Sequence, residues 1–170
     1  MKSFPDSTRF KKPWRTYQEG VLSDLEDKMQ DKHLHIIAPP GSGKTVLGLE
    51  VMRRINRPSL VLAPTLAIRD QWAERFCDLF LEKDEDTSWI SRDINNPGFL
   101  TVSTYQELHN AMSGNSEEDV ITEEVIDSDD ELPNTPEDNR ADKLIESLLV
   151  LGVQTLVVDE AHHLRSEWWK

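Results

Sequence analysis

Apolar and polar positions form a repeating pattern of blocks along the 170-residue chain. Short apolar runs cover residues 33–37, 59–63, 99–103 and 154–158, and between them apolar residues recur at three- and four-residue steps. The short runs predict buried strands, and the longer period predicts amphipathic helices. Strands that alternate with helices are typical of a doubly wound α/β fold, in which helices flank a parallel sheet.

The predicted helices lie beside these strands. They cover residues 14 to about 30, 44–55, 66 to about 81, 104 to about 112, and 142–151. One further short strand is expected around Trp89. Residues 1–13 lack either period and are predicted to form an extended arm ahead of a domain over 14–170.

The turn after the first predicted strand has the composition of a phosphate-binding loop. Gly41 and Gly43 allow backbone conformations in which successive N–H groups point at phosphate oxygens. Lys44 supplies a positive charge for the β- and γ-phosphates, the Thr45 hydroxyl suits Mg²⁺, and the helix start adds its dipole. Ala38 stands where the strict pattern has glycine. The sequence predicts an ATP site at Pro40, Gly41, Ser42, Gly43, Lys44 and Thr45.

Two acids, Asp159 and Glu160, follow the last predicted strand. Ligands of open parallel sheets bind beyond the carboxyl ends of the strands, so these acids are expected beside the phosphate loop. Asp159 can hold Mg²⁺ through its water shell, and Glu160 can orient and deprotonate the attacking water. Zinc is disfavoured, because the neighbours His162 and His163 point apart and the pair His33 and His35 lacks a third ligand.

Charge is distributed unevenly along the chain. Of a net −13, −10 lies in residues 113–140, which hold 11 acids and one base. This composition predicts a disordered insertion, with a nucleic-acid mimic or a partner-binding tail as alternatives. The remaining −3 leaves room for a basic face that binds nucleic acid. A lone Cys77, no signal peptide and no long apolar run predict a protein of the cytoplasm that does not enter membranes.

Five stretches, in order along the chain, resemble motifs of the first RecA-like domain of superfamily 2 helicases and translocases. The nearest branch includes the helicase subunits of type I and type III restriction enzymes. The resemblance covers most of residues 14–165 outside the insertion, and it implies a RecA-like P-loop NTPase fold that stops soon after motif II. The stretches are 15–18 (Q motif), 38–45 (motif I), 63–65 with 71–72 (motif Ia), 102–106 (motifs Ib/Ic) and 157–162 (motif II, a DEAH box).

The resemblance adds roles for residues that the pattern alone leaves open. By position, Gln18 is either a solvated residue of a first helical turn or an adenine-reading amide, and the resemblance implies the adenine contact. It also implies that His162 couples the nucleotide site to nucleic acid. Contacts with the nucleic-acid backbone are implied for Pro64, Thr65, Ser103 and Thr104. Independently of the resemblance, Thr65 and Thr104 stand where each would cap the helix that follows.

The implied function is Mg²⁺-dependent ATP hydrolysis coupled to movement on nucleic acid. DNA is favoured over RNA because the phosphate loop and residues 163–165 depart from the RNA-helicase pattern. The family also has a motif III and a second RecA-like domain that supplies arginine fingers, so the chain alone is expected to have negligible ATPase and no unwinding activity. The alternatives are a regulatory module that binds nucleotide without turnover, an RNA helicase domain and a P-loop kinase or other small NTPase.

Overall fold

A computed structural model describes residues 3–29, 31, 33–113 and 138–161. The helices of this part are α1 (Thr16–Glu26), α2 (Lys44–Ile55), α3 (Leu66–Phe80), α4 (Tyr105–Ser113) and α5 (Asp138–Leu151). The strands are β1 (Ser59–Ala63), β2 (Ile90–Ser91), β3 (Leu100–Thr104) and β4 (Thr155–Val158). They form one sheet in the order β2-β3-β1-β4, and every neighbouring pair is parallel. The predicted α/β architecture is confirmed.

Strand β1 lies at the centre of the sheet and is buried along its whole length. Its Ser59 pairs with Leu100 of β3 on one side and with Thr155 of β4 on the other. A strand buried on both faces favours apolar residues, which is why residues 60–63 of β1 form a continuous apolar run. The predicted bounds of β1 and α2 are confirmed, and those of α3, α4, β3 and β4 agree to within one or two residues.

The first predicted strand, over residues 33–37, is wrong in this structure, where these residues form no strand. Burial alternates along the segment: Leu34 and Ile36 are half-buried, whereas His33, His35 and Ile37 are exposed. A strand at this place would be covered on one face only, because the histidines occupy the alternate positions. Among the described residues, no backbone hydrogen bond joins the segment to the sheet.

Two apolar clusters cover the two faces of the sheet. The first is rich in aromatic residues and packs α2 and α3 on Val61 and Val102. The second is smaller and packs α4 and α5 on Leu60 and Leu62. Alternate residues of β1 therefore serve opposite faces, as the period of a strand requires.

The N-terminal segment packs closely against the first cluster. Residues 3–13 form neither helix nor strand, yet Phe4 is 4% exposed, and its ring centroid lies 4.8 Å from that of Phe99 and 5.5 Å from that of Phe76. The Phe4 backbone N–H also donates to Asn56 Oδ1 at 2.8 Å. The start of the predicted arm is therefore part of the core. The sequence did not predict this, because the residues around Phe4 are polar.

The structure describes just the two margins of the predicted acidic insertion over 113–140. Its predicted ends at 113 and at 138–140 are helical, because α4 runs to Ser113 and α5 begins at Asp138. The prediction of disorder for the rest concerns residues 114–137, which lie outside the described part of the chain. The helices that can be described are all too short or too polar to span a membrane.

Candidate nucleotide-binding site

The phosphate loop joins the extended segment at 33–39 to helix α2. Gly41 and Gly43 have φ angles of +75° and +89°, and Gly43 is the N-cap of α2. Residues with a Cβ rarely adopt such angles, so the two glycines are required by the path of the loop. The Ser42 hydroxyl is buried and has no hydrogen-bond partner among the described residues. A loop with a spare polar atom, a helix N-terminus and Lys44 fits a phosphate group.

Gln18 of α1 lies directly against this loop. Its Nε2 donates to the Ser42 carbonyl at 3.2 Å, and its Oε1 accepts from the Arg15 N–H at 3.1 Å. Gln18 is 5% exposed, so its interpretation as a solvated residue is wrong. A Cβ on Gly43 would lie 2.7 Å from Gln18 Nε2, which shows how tightly α1 packs on the loop. The contact of Gln18 with adenine stays a prediction.

Glu50 of α2 supports a second contact between α1 and α2, at the ends of these helices that lie away from the phosphate loop. Its carboxylate accepts hydrogen bonds from Arg53 and Arg54, and Arg54 also bonds Glu26 of α1 at 2.9 Å. Burial opposes ionisation of Glu50, but the hydrogen bonds and charges of the two arginines outweigh it and lower its pKa. The ion pairs keep the helix that starts at Lys44 in register with the helix that carries Gln18.

The structure brings the phosphate loop and motif II together. Lys44 Nζ lies 3.5 Å from Glu160 Oε1, and both side chains are about one-third exposed. Glu160 has a φ of +50°, a left-handed conformation that turns the chain sharply just after β4. The two acids therefore contact different partners, because Glu160 reaches Lys44 whereas Asp159 is bonded by Trp72.

The Asp159 side chain contacts a different part of the fold. Its Oδ2 accepts a hydrogen bond from the Trp72 indole N–H at 2.7 Å, and its backbone carbonyl accepts one from the Tyr105 hydroxyl at 2.5 Å. Burial, followed by the charges of Asp159 and Glu160, raises the pKa of Tyr105 to about 12. The tyrosine therefore remains a protonated donor at neutral pH.

The sequence alone assigns no role to Trp72 or Tyr105. Both lie in predicted motifs, Trp72 in motif Ia and Tyr105 in motifs Ib/Ic, but nothing in the linear sequence names a partner for their polar atoms. A buried indole or phenol generally needs such a partner. This requirement is the one feature of the sequence that indicates a bonding role for these side chains, but it does not identify the partner.

The predicted nucleic-acid contacts divide into two groups. Pro64 is half-buried and Thr65 is exposed at the carboxyl end of β1. Ser103 and Thr104 are 0% and 3% exposed, so the structure does not offer their hydroxyls to a ligand at the surface. Their contact with nucleic acid stays a prediction.

The capping roles predicted for Thr65 and Thr104 are confirmed. Thr65 Oγ1 accepts from the Ile68 N–H at 3.3 Å, at the start of α3. Thr104 and Glu107 form a reciprocal capping box at the start of α4, with Thr104 Oγ1 accepting from the Glu107 N–H and the Glu107 carboxylate accepting from the Thr104 N–H. The Ser103 hydroxyl donates to the same carboxylate at 2.9 Å.

The remaining predicted site residues are Pro40, Thr45 and His162. Thr45 is half-buried in the first turn of α2, directly after Lys44, and Pro40 is exposed in the loop. A Mg²⁺ ion in this site would be held by oxygen ligands, which Thr45 and Asp159 offer. His162, the predicted coupling residue, lies outside the described part of the chain.

Comparisons with known proteins identify a family and several relatives of this chain. Residues 11–170 match the family model described as "Type III restriction enzyme, res subunit". The chain is 36% identical over 61 residues to "Putative helicase 055L" of Frog virus 3 (isolate Goorha), which is 35% of this chain and 14% of that protein.

Two plant proteins match over a longer stretch. The helicase/translocase subunits XPB2 and XPB1 of the general transcription and DNA repair factor IIH of Arabidopsis thaliana are 29% and 28% identical over 116 residues, which is 65% of this chain. The chain spans 14–15% of the length of these relatives. Because the family model covers nearly all of the sequence, the chain belongs to the type III restriction enzyme res-subunit family and contains its RecA-like α/β domain.

Proposed function

We propose that this chain is the ATP-binding part of an ATP-dependent helicase or translocase. One observation carries the proposal: the charged groups of the phosphate-loop Lys44 and the motif II Glu160, far apart in sequence, lie 3.5 Å apart. A γ-phosphate bound by Lys44 would therefore lie beside a carboxylate able to orient and deprotonate water. Mg²⁺, when bound, would neutralise phosphate charge, and Thr45 and Asp159 are the residues proposed to hold it.

The presence of Glu160 distinguishes hydrolysis from simple nucleotide binding. A regulatory module needs Lys44 and the loop glycines but has no use for a water-activating carboxylate. The left-handed backbone at Glu160 also favours a working role, because non-glycine residues in that region are uncommon and cluster at functional sites. We propose Gln18 as the contact for adenine, since it lies against the loop and its amide has one further N–H to donate.

DNA is the proposed track. The names of the relatives refer to restriction and to DNA repair, and we extend that substrate class to this chain. Pro64 and Thr65 are the proposed contacts with the sugar-phosphate backbone, because they lie at the surface at the carboxyl end of β1. We also propose a second RecA-like domain as partner and the cytoplasm as location.

The test is ATP turnover by the full-length protein, with no nucleic acid and with double-stranded DNA, single-stranded DNA or RNA. We expect DNA to stimulate turnover, and Glu160→Gln to lower the stimulated rate by about 10²–10⁴-fold while nucleotide binding is kept. Lys44→Ala is expected to lose binding itself. Glu146→Gln is the matched control, since Glu146 is exposed on α5.

Each outcome leads to a different conclusion. If RNA alone stimulates turnover, the proposed motor function stands, but its track is RNA and not DNA. Nucleotide binding without turnover under all four conditions would contradict hydrolysis and favour the regulatory module. Equal loss of turnover in Glu160→Gln and Glu146→Gln would remove Glu160 from the chemistry.

A further inference from the structure

Trp72 connects its own helix α3 with helix α2 and with the residue that follows β4, three segments that are distant in sequence. Its indole N–H donates to Asp159 Oδ2 at 2.7 Å, and its ring lies against Gly48 of α2, one turn after Lys44. The side chain is 3% exposed, so protein surrounds it. Trp72 therefore lies between the helix that begins at the phosphate loop and the carboxylate that follows β4.

The fit between Trp72 and α2 depends on the absence of a side chain at residue 48. A Cβ there would lie 2.7 Å from Trp72 Cη2 and 3.3 Å from Cζ3. Real Cβ atoms do not approach ring carbons so closely, and a buried indole has little room to move. Glycine is less favourable than alanine in a helix interior, so this position gives up helix stability to admit the ring.

The hydrogen bond restricts the Asp159 carboxylate to one orientation. An N–H bond to an ionised carboxylate is of the stronger, charge-assisted kind, and 2.7 Å is typical of it. Trp72 binds Oδ2, and no described residue donates to Oδ1, which leaves that oxygen for water or a metal ion. Tyr105 fixes the backbone of the same residue through its carbonyl. Carboxylates that bind metal ions are commonly oriented by outer hydrogen bonds of this type.

We infer that Trp72 is a positioning residue for Mg²⁺-nucleotide binding, acting by orienting the Asp159 carboxylate. This inference rests on the proposed function, because it takes Asp159 to be a ligand of the Mg²⁺ water shell. Trp72 also lies in α3, whose N-cap is the proposed nucleic-acid contact Thr65. One helix therefore carries both the proposed contact with DNA and the residue that orients the carboxylate.

The test compares the affinity of the chain for a non-hydrolysable ATP analogue, AMP-PNP, in Mg²⁺ and in EDTA by isothermal titration calorimetry. The measured quantity is the ratio of the two dissociation constants. Trp72→Phe removes the N–H and keeps an aromatic ring, and loss of an outer hydrogen bond at a metal site typically costs 10–100-fold. We therefore expect the Mg²⁺-dependent gain in affinity to fall by about 10-fold or more, with affinity in EDTA unchanged.

Trp89→Phe is the matched control. Its indole N–H also donates at 2.7 Å, to the Asp86 carbonyl in a surface loop, and its ring packs on Phe4 and Phe99. The control loses the same atoms from a partly buried tryptophan that packs on the same cluster, and its indole N–H bonds a residue outside motif II. It should keep the wild-type ratio.

A second pair of variants tests the inference without changing the tryptophan. Gly48→Ala is expected to displace the indole and reduce the Mg²⁺-dependent gain in the same way. Gly20→Ala in α1 is its control, because a Cβ there meets nothing within 4 Å. This pair decides the question if Trp72→Phe does not fold.

The outcomes separate this inference from the proposed function. A wild-type ratio that Trp72→Phe and Gly48→Ala leave unchanged would overturn the role of Trp72 and leave the ATP site intact. Equal losses in Mg²⁺ and in EDTA would show a purely structural residue and would also overturn it. Tight binding of AMP-PNP by the wild type with no effect of Mg²⁺ would contradict the magnesium site itself, and this inference would fall with it.

Discussion

The two halves of the candidate site are built in different ways. The shape of the phosphate loop is set mainly by its own backbone, through two glycines with positive φ and a helix that begins at Lys44. One side-chain amide, from Gln18 of α1, supports it. The motif II half is held by side chains from distant elements, with Trp72 bonding the carboxylate of Asp159 and Tyr105 bonding its carbonyl. Among the described residues, the ion pair of Lys44 with Glu160 joins the two halves directly.

This difference shows where each half is sensitive to mutation. A loop defined by backbone dihedral angles fails when a residue cannot adopt those angles. A carboxylate oriented by neighbouring side chains fails when a donor is removed, even though its own sequence is intact. Substitutions of equal size in the two halves should therefore affect different measurements, nucleotide binding as such in the first and Mg²⁺ dependence in the second.

The largest expected effect is that of Gly43→Ala. The variant forces a Cβ into a φ of +89° and to within 2.7 Å of Gln18 Nε2, which together cost about 2–5 kcal/mol. Affinity for AMP-PNP in calorimetry should fall by about 30-fold or more, in Mg²⁺ and in EDTA alike. Gly152→Ala is the control, since Gly152 has a φ of +75° in open space. Unchanged affinity in Gly43→Ala would contradict the assignment of the loop.

Glu50→Gln should weaken the attachment of α1 to the loop helix. It removes a buried charge that accepts bonds from Arg53 and Arg54, and we expect a loss of about 2 kcal/mol in the free energy of unfolding at pH 7. Because the folded state lowers the pKa of Glu50 below its ordinary 4.5, this contribution is complete above pH 4.5 and is lost as pH falls through the folded value.

Urea unfolding of wild type and Glu50→Gln at pH 7 and below pH 4.5 measures this effect. The difference between the two proteins should shrink on acidification. A difference that stays constant with pH would mean that the loss comes from packing rather than from the ion pairs. Glu146→Gln, on the exposed face of α5, should show no comparable difference at either pH.

Tyr105→Phe tests the second support of motif II. Removing the hydroxyl leaves the Asp159 carbonyl without that donor and should lower the free energy of unfolding by about 1 kcal/mol. Folding raises the pKa of Tyr105 from about 10 to about 12, so its contribution is complete below pH 10 and is lost as pH rises to 12. Wild type, but not Tyr105→Phe, should therefore lose this stability in urea titrations from pH 10 to pH 12.

The smallest expected effect is that of Thr65→Ala. The cap it removes is exposed and its bond is 3.3 Å long, so stability should fall by about 0.5 kcal/mol. Thr65→Ser keeps the cap and serves as the control. If Thr65 also contacts the backbone of DNA, Thr65→Ala should weaken DNA binding more than this stability loss accounts for. Loss of stability alone would restrict Thr65 to its capping role.

Much of the fold follows from local sequence. Helix α2 begins at Lys44 because its N-cap, Gly43, can adopt a positive φ. Strand β1 forms over Ser59–Ala63 because these residues suit a position that is buried on both faces of the sheet. The capping residues Thr65 and Thr104 were predictable for the same reason, since a cap is an interaction with residues two or three positions away.

Other predictions failed where the outcome depended on distant neighbours. Residues 33–37 have the composition of a strand but do not pair with the sheet, and Phe4 is buried although its neighbours are polar. By position alone Gln18 could be a solvated residue of a first turn, but in the fold its amide lies against Ser42. In each case the deciding contact joins parts of the chain that the local pattern does not connect.

The sequence by itself determined the chemical groups of this site: the loop glycines, Lys44, Thr45 and the two acids of motif II. Their identities follow from what a phosphate, a metal ion and a water molecule require, and those requirements are local. The tertiary structure alone decided that Trp72 meets Asp159 and that Gly48 makes room for it. Such contacts depend on how helices pack on a sheet, which is set by the shapes of many side chains together and by no single stretch of sequence.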